Sequence, residues 1–470
     1  MQRRHVRFNV IACEKKIMTF TKTPDTHRPV RLLHLLFALL ALVCATPSTL
    51  GAASGSAVQS RVRGNVRIAN DFPGADLGAK INAADNALGA AVGEVWVKNG
   101  GTITTQVVIN SGHRLRFFAG VYKIETELFS EGAILLKSRT EVTGPGWDTI
   151  IVEPPKTGWI VFQSYEDARS QPVHSGADTD IRITNLQIRG ANPAVEGGVR
   201  QTLALGNCRR CHIEGVWLNK TGVIGVQAGG NASKGNFADT VTIRKNLFTS
   251  VASQAAAVVN GRNVIIDENT FRDSGRAGAN MGMTAIDLEP NDSSDIIQNI
   301  KITNNVIDSR RSGFLHGNGI LVQNGARTLR FGPVLVRGNT VIGGNLTNAE
   351  TGNIASGIYI TGSTQDVEVV NNVVRRVGHS GIRLENSTRN YVHGNTLVST
   401  GSGGILSFEI INTTDSRIFD NVVTIDPGSL AATKVIQEMG TSQGNTYRGN
   451  TDGNTALSPI TLGKSKILPR

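Results

Sequence analysis

From residue 181 onward one short phrase of apolar and polar positions recurs along the chain. It runs apolar, any, apolar, two free positions, a marker that is usually Asn, any, apolar. Val241-Thr-Ile243-Arg-Lys-Asn246-Leu-Phe248 is one copy, and Val264–Phe271, Ile300–Ile307, Val334–Val341 and Val367–Val374 are others. The markers stand at 186, 216, 246, 269, 305, 339, 372, 395, 421 and 450, with Leu186 and Val216 in place of Asn. Intervals of 23 to 36 residues mean a solenoid or array. Leucine-rich phrases are absent, and propeller blades need about 40 residues or more. The pattern therefore predicts a parallel β-helix with short coils and variable loops.

A second phrase lies between markers: Gly319-Ile-Leu-Val322, Gly357-Ile-Tyr-Ile360 and Gly381-Ile-Arg-Leu384, with Ala285-Ile-Asp-Leu288 as a variant. Two or three strands per coil with period-2 alternation explain both phrases. Inward Val and Ile then stack on their counterparts in the next coil. The Asn column reads as a tight corner, where Asn tolerates left-handed backbone and its side chains bond up the column. Upstream, Leu77, Ile81, Ala84 and Leu88 fall at helical spacing and predict a capping helix near 75–90, since terminal coils must cover their apolar face. Strands are expected at Glu94–Val97, Thr102–Ile109, Ile134–Leu136 and Thr149–Val152, with a turn at Gly144–Trp147. The expected division is a leader over 1–53, an N-terminal segment with the capping helix over 54–93, the β-helix over 94–450 and a tail over 451–470.

Composition agrees. Aromatics are only 5% of 470 residues, whereas Gly numbers 53 and Asn 38, which suits many turns around a Val/Ile core. The net charge of +11 suggests nucleic acid until it is divided. Residues 1–53 hold eight Lys/Arg and two acids; the remainder carries 40 against 35, with its basic pairs scattered. Nucleic-acid binding is disfavoured. Leu32–Val43 is a short apolar run behind Arg28 and Arg31, followed by Gly51-Ala-Ala53, which reads as a secretory signal cleaved after Ala53. The run is shorter than a membrane span of about 20 residues. Export and no stable membrane insertion are expected, with Met18 as an alternative start. Cys44 follows Val43, where a lipoprotein site needs a small residue.

Cys208-Arg-Arg-Cys211-His212 matches the haem c attachment pattern, but it runs directly into a repeat strand, so a thiol pair or local disulfide is the preferred reading. Gly440-Thr-Ser442-Gln-Gly444 matches the nucleophile elbow but continues into another repeat instead of a helix. His316, His379 and His393 show no zinc-ligand spacing.

The stretch from Leu77 through Ala119-Gly-Val-Tyr122 to Thr143-Gly-Pro-Gly146, with the Asn-marked coils after it, resembles pectate-lyase-like proteins. The resemblance spans about residues 65–455 and implies a single right-handed parallel β-helix, all-β, with a short N-terminal capping helix. It specifies fold rather than activity, because the superfamily includes lyases, hydrolases, epimerases, tailspikes and adhesins. Of the polygalacturonase-type motifs, Gly378-His379-Ser380-Gly381 is only similar to one, and Asn450-Thr-Asp452 comes in the wrong order. No catalytic residue is carried over.

Alternation across the second phrase gives outward columns. One reads Asp287, Leu321, Tyr359, Arg383, Leu406; its neighbour reads Glu289, Gln323, Thr361, Glu385, Phe408. Asp287, Glu289, Tyr359 and Arg383 are the candidate catalytic residues, and Gln323 and Glu385 the candidate substrate-binding ones. Asp287 and Glu289 stand about 6.6 Å apart by Cα, compatible with an acid/base pair or with Ca²⁺ ligands, the plainer reading being a solvated acidic turn ended by Pro290. The EF-hand likeness fails where Asp292 replaces Gly and Gln298 replaces Glu. Arg383, one rung from Tyr359, would lower the phenol's pKa and make it a base in a lyase reading; the plainer reading, which is preferred, is a cation–phenol surface contact. Glu289 and Glu385 are three coils apart, about 14 Å, too far to act jointly. Asp287 and Glu289 are expected to be exposed and unpaired. The function these features imply is a polysaccharide lyase or hydrolase, with the insertions Met281–Ile297 and Phe314–Phe331 expected to wall a groove beside the stack; the competing reading is a non-catalytic solenoid that binds glycans or a cell-surface partner.

Overall fold

The computed structural model describes residues 65–125, 131–153, 160–168, 176–190, 201–230, 235–274, 284–310, 317–343, 356–401, 406–429, 432–457 and 464–468. The leader, Cys44 and His316 lie outside them, as do the starts of the segments 281–297 and 314–331. Strands stack in parallel from coil to coil into three long sheets. The first begins at Val66–Ile68, passes through Gly93–Val97 and ends at Lys464–Ile467, so parallel rungs lie on both sides of the 94–450 span. The second begins at Gly101–Ile103 and ends at Val422–Thr424. The third runs through Thr284–Leu288, Asn318–Gln323, Ile358–Thr361, Ile382–Glu385 and Phe408–Ile411. Each coil visits the third sheet, then the first, then the second. The fold is the expected right-handed parallel β-helix.

Alternation places Val and Ile inside on all three sheets, giving one continuous core from Ala69 to Tyr447. Phe248 and Phe271 stack in it at 4.6 Å with planes 9° apart, the spacing of successive rungs. The predicted strands are all present, except that Thr102–Ile109 breaks into Gly101–Ile103 and Val107–Ile109. Between those two strands the chain turns to meet the helix.

That helix, α1 (Leu77–Asn86), buries Leu77, Ile81 and Ala84 against the open end of the core. Asp76 is its N-cap. The carboxylate accepts hydrogen bonds from the N–H of Gly78, Ala79, Thr104 and Thr105 and from the Thr105 hydroxyl. Burial pushes its pKa up, but these donors outweigh burial and hold it well below the usual carboxylate range. Asp76 thus fastens the cap to the first coil as well as starting the helix. Asp76→Ala is expected to cost about 2 kcal/mol by urea denaturation at pH 7. The difference should shrink as pH falls through the carboxylate range, because the depressed pKa contributes only while the group is ionised.

The asparagine column is a buried ladder. The N–H and Nδ2 of Asn305 both donate to Oδ1 of Asn339, and those of Asn339 donate to Oδ1 of Asn372. Each Nδ2 also donates to a carbonyl of the preceding coil, such as Ile302 for Asn339. The pattern runs from Asn246 to Asn450. The expectation of left-handed backbone at these residues is corrected by one position. The left-handed residue is the one before each marker: Lys245, Glu268, Asn304, Gly338, Asn371, Gly394, Asp420 and Gly449. The marker turns inward because its neighbour has already bent the chain.

Cys208 and Cys211 are joined as a disulfide and packed in the core, so neither sulfur is available for haem. Ser442 is buried, with its hydroxyl donated to the carbonyls of Ile410 and Met439. No helix among the described residues is long and apolar enough to cross a membrane.

Glu153 is an acid the core has enclosed. It accepts from the Thr202 hydroxyl at 2.5 Å, yet burial raises its pKa to about 7. The unfolded chain releases this proton near pH 4.5, so stability falls as pH rises from there through about 7. The loss at pH 8.5 is on the order of 3 kcal/mol. Glu153→Gln is expected to remove that slope and leave the variant more stable than wild type at pH 8.5. Equal denaturant midpoints at both pH 5 and pH 8.5 would count against a buried, protonated Glu153.

Candidate active site

The outer face of the third sheet carries the unusual chemistry. Its register aligns Gln163, Ala204, Gln227, Ala257, Asp287, Leu321, Tyr359, Arg383, Glu409 and Gln437 on successive coils. The first four expected members are thus in one column. Leu406 is not its fifth: Glu409 stands beside Arg383, while Phe408 points into the core against Ile382. In the second column Ile411, not Phe408, follows Glu385.

Asp287 and Glu289 come together, but not as an exposed, unpaired couple. Asp287 is fully buried. Its Oδ2 accepts from Nε2 of Gln254 at 2.6 Å, and the same amide donates to Glu289 at 2.9 Å. The two carboxyls are also hydrogen-bonded to each other. Burial, then repulsion from Glu289, raises the pKa of Asp287 far above that of an ordinary aspartate. Two carboxyls this close disfavour ionising together, and the buried Asp287 is the one whose neutral form is favoured. Glu289 is the half-exposed member and Asp287 the one behind it. Oδ1 of Asp287 has no hydrogen-bond partner.

Two and three rungs on lies a second cluster. The Tyr359 hydroxyl donates to Glu385 Oε2, and Arg383 Nη2 donates to the same oxygen at 2.8 Å. The guanidinium sits 4.9 Å over the Tyr359 ring. Tyr359 is therefore not an activated base. Burial and the bond to Glu385 raise its pKa, outweighing Arg383, which was expected to lower it. His379 and Glu409 complete the cluster, each with an atom 3.5 Å from the other and Arg383 Nε 3.5 Å from Glu409. Burial and then Arg383 lower the His379 pKa to about 4, leaving a neutral imidazole. Burial also raises Glu409. Arg383 Nε and Glu409 Oε2 are buried without hydrogen-bond partners. Gln323 lies on the rung between the clusters, half-exposed and with no hydrogen-bond partner among the described residues.

A hollow of about 490 Å³ continues this face toward the N-terminus, floored by Ala204 and Gly229 and flanked by Gln163, Gln201 and Gln227. Its wall is the turn Asn291–Asp295, within one of the two segments expected to flank a groove. Thr328 and Arg330, from the other segment, bond to the carbonyls of Asp295 and Ser294 and brace that wall. The carboxylates of the turn serve its own backbone: Asp295 accepts from the N–H of Asn291 and Asp292, and Asp292 from that of Ser294. Among the described residues no three His, Cys, Asp or Glu side chains gather closely enough to hold a metal ion.

The coil geometry has clear counterparts. Residues 173–354 match the family described as the right handed beta helix region. The chain has a right-handed parallel β-helix fold. The A-module of a mannuronan C-5 epimerase of Azotobacter vinelandii superposes with a TM-score of 0.61 at 15% identity, over 85% of this chain and 97% of that one. A second A-module of that kind from the same organism gives 0.55 at 16%, over 85% and 99%. The tailspike protein of E. coli bacteriophage HK620, in complex with a pentasaccharide, gives 0.54 at 14%, over 81% and 69%. Identities this low establish the fold alone. No curated protein sequence matches the chain.

Sequence reasoning missed Gln254 and Glu409. Glu409 lies twelve residues before its marker Asn421, as Arg383 lies twelve before Asn395, so counting back from the ladder finds it. The phrase Gly404-Ile-Leu406 imitates the start of a strand and hides that register. Gln254 carries no such signal, because its link to Asp287 and Glu289 crosses between coils.

Proposed function

We propose that this protein binds an extended polysaccharide along the outer face of the third sheet and cleaves it by acid-assisted hydrolysis at Asp287 and Glu289. The carrying observation is a fully buried Asp287 set behind a half-exposed Glu289 on the outer face of a coil, with both carboxyls held by the Gln254 amide. Holding an un-ionised acid there is costly and does nothing for the core. Glu289, at the surface, passes a proton to the glycosidic oxygen as its bond to the anomeric carbon breaks; water adds to that carbon, and the proton the water releases returns to the carboxyl pair, with Asp287 behind Glu289. Gln254 orients both. The hollow, Gln323 and the Tyr359–Glu385 cluster lie along the same line at rung spacing and would contact sugars on either side. The fold neighbours add support, since one is named for an epimerase acting on mannuronan and another is complexed with a pentasaccharide.

A lyase fits less well. It requires a cation free to neutralise a uronate carboxylate, and Arg383 is already bonded to Glu385. A binding solenoid without turnover is the second reading, favoured by the Tyr359–Arg383–Glu385 cluster being self-satisfied without ligand. The deciding experiment screens neutral and uronate-containing polysaccharides, with and without Ca²⁺, for new reducing ends and for unsaturated products. Reducing ends without absorbance support hydrolysis, absorbance supports a lyase, and retention on a glycan without either supports the binding solenoid.

Export belongs to the same proposal, since polysaccharides of this kind lie outside the cytoplasm. Mass spectrometry of the extracytoplasmic protein should find the N-terminus near Ser54; retention of Met1–Leu50 would refute a cleaved leader.

A further inference from the structure

The outer face of the first sheet carries a second polar and aromatic track, separate from the third sheet. Its register aligns Lys301, Leu335, Glu368, Tyr391, Arg417 and Thr446, beside Thr303, Arg337, Val370, His393, Phe419 and Arg448. In a chain with five tyrosines, one of them stands here 37% exposed. Tyr391 meets Phe419 edge-on at 5.0 Å, and His393 stacks on Phe419 at 4.8 Å. Arg417 lies over Tyr391 at 5.6 Å and Arg448 over Phe419 at 5.4 Å.

A hollow of about 250 Å³ opens among Tyr391, Arg417, Phe419, Thr446, Arg448 and Leu468. A second, of about 270 Å³, opens on the other side of the Tyr391 ring and reaches Lys301. Tyr391 is therefore a ridge between two depressions on one line. From Lys301 to Thr446 is five rung steps, about 24 Å, the reach of an oligosaccharide instead of a single sugar.

The charges differ between the two hollows. In the one reaching Lys301, Arg389 is bonded to Asp366, and Glu368 takes His393. The hollow beside Phe419 has two guanidiniums and no carboxylate in its lining. Arg448 leans 3.7 Å toward Asp420. Arg417 has no carboxylate partner among the described residues.

We propose that this track is a second glycan-binding site, specific for chains that carry carboxylates. The apolar faces of the sugar rings lie on Tyr391 and Phe419, as aromatic platforms allow. A uronate carboxylate accepts hydrogen bonds from Arg417, whose planar fork suits it. Such a site holds an acidic polymer without turnover and is independent of the Asp287–Glu289 reading.

Calorimetric titration of the full chain with oligogalacturonate and oligomannuronate, against neutral manno- and gluco-oligosaccharides, tests it. The wild type should bind one of the acidic oligomers, more weakly as salt rises, and should not bind the neutral ones at this site. Arg417→Gln and Tyr391→Ala should each weaken that binding at least tenfold, whereas Tyr391→Phe and Glu289→Gln should leave it within twofold. Arg417→Gln and Tyr391→Phe keep the test valid if Tyr391→Ala fails to fold. No binding of either acidic oligomer by wild type, or undiminished binding by Arg417→Gln, overturns the proposal. Loss with Glu289→Gln alone would place acidic chains on the third sheet and overturn it as well.

Discussion

Asp287→Asn is expected to lower turnover of the cleaved polysaccharide by about 10²–10⁴-fold while the protein stays folded. The substitution keeps the shape of the side chain and its acceptor for Gln254, but removes the acidic proton that burial favours on Asp287. An amide holds no transferable proton. Stability should move the other way. Wild-type Asp287 is protonated well above the pH at which the unfolded chain gives up this proton, so rising pH works against its fold. Asp287→Asn should therefore match or exceed the wild-type midpoint at pH 8. Asp287→Ala is a different experiment. Because the residue is fully buried, truncation opens a cavity and leaves the Gln254 amide bonded to Glu289 alone, at a cost of about 2 kcal/mol. An alanine pair at 287 and 289 is consequently not a silent surface change. Full activity in Asp287→Asn, with an unchanged pH profile, would mean that the dyad is scaffold.

The largest stability effect is expected inside the ladder. Asn339→Ala removes the acceptor for both the N–H and the Nδ2 of Asn305, and the donor to Ile302 and Asn372. All of these groups are buried, so water does not replace the bonds. A loss of about 4 kcal/mol follows from unsatisfied buried donors at roughly 1–3 kcal/mol each, with some relaxation. Asn450 occupies the ladder's last rung and donates its Nδ2 to Ile418, with no asparagine beyond it. Asn450→Ala still strands the N–H and Nδ2 of Asn421 but loses no onward bond to another rung, so it should cost somewhat less, about 3 kcal/mol. Denaturant unfolding of both variants checks the ordering; a cost for Asn339→Ala below about 1 kcal/mol would show that the coils are held by their apolar stacks alone.

These two predictions mark where the sequence was readable. The ladder was legible because one residue type recurs at one corner, and stacking forces corresponding positions of successive coils into register. The core was legible for the same reason: Ile286, Leu288, Ile358, Ile360, Ile382 and Leu384 alternate with polar neighbours and all turn inward. The outward residues are only partly legible. Asp287 through Arg383 were placed on the correct face, but burial there depends on what packs over the face, which alternation does not encode. The direction of the Tyr359 shift was misread because Glu385, two residues from Arg383 on its own strand, captures both the phenol and the guanidinium. Glu409 was lost to a three-residue register error after Gly401. The left-handed corner was assigned to the asparagine itself, when the residue before it bends the backbone.

The central claim is that glycan meets this β-helix on the outer face of the third sheet. Its most direct test is a crystal structure of the Asp287→Asn variant soaked with an oligosaccharide of the polymer that wild type cleaves. The chain should lie along the hollow of Gln163, Gln201 and Gln227 and continue past Gln323 toward Tyr359, with a glycosidic oxygen within hydrogen-bond distance of Glu289. Sugar density confined to another face of the coil, with Glu289 uncontacted, would contradict it.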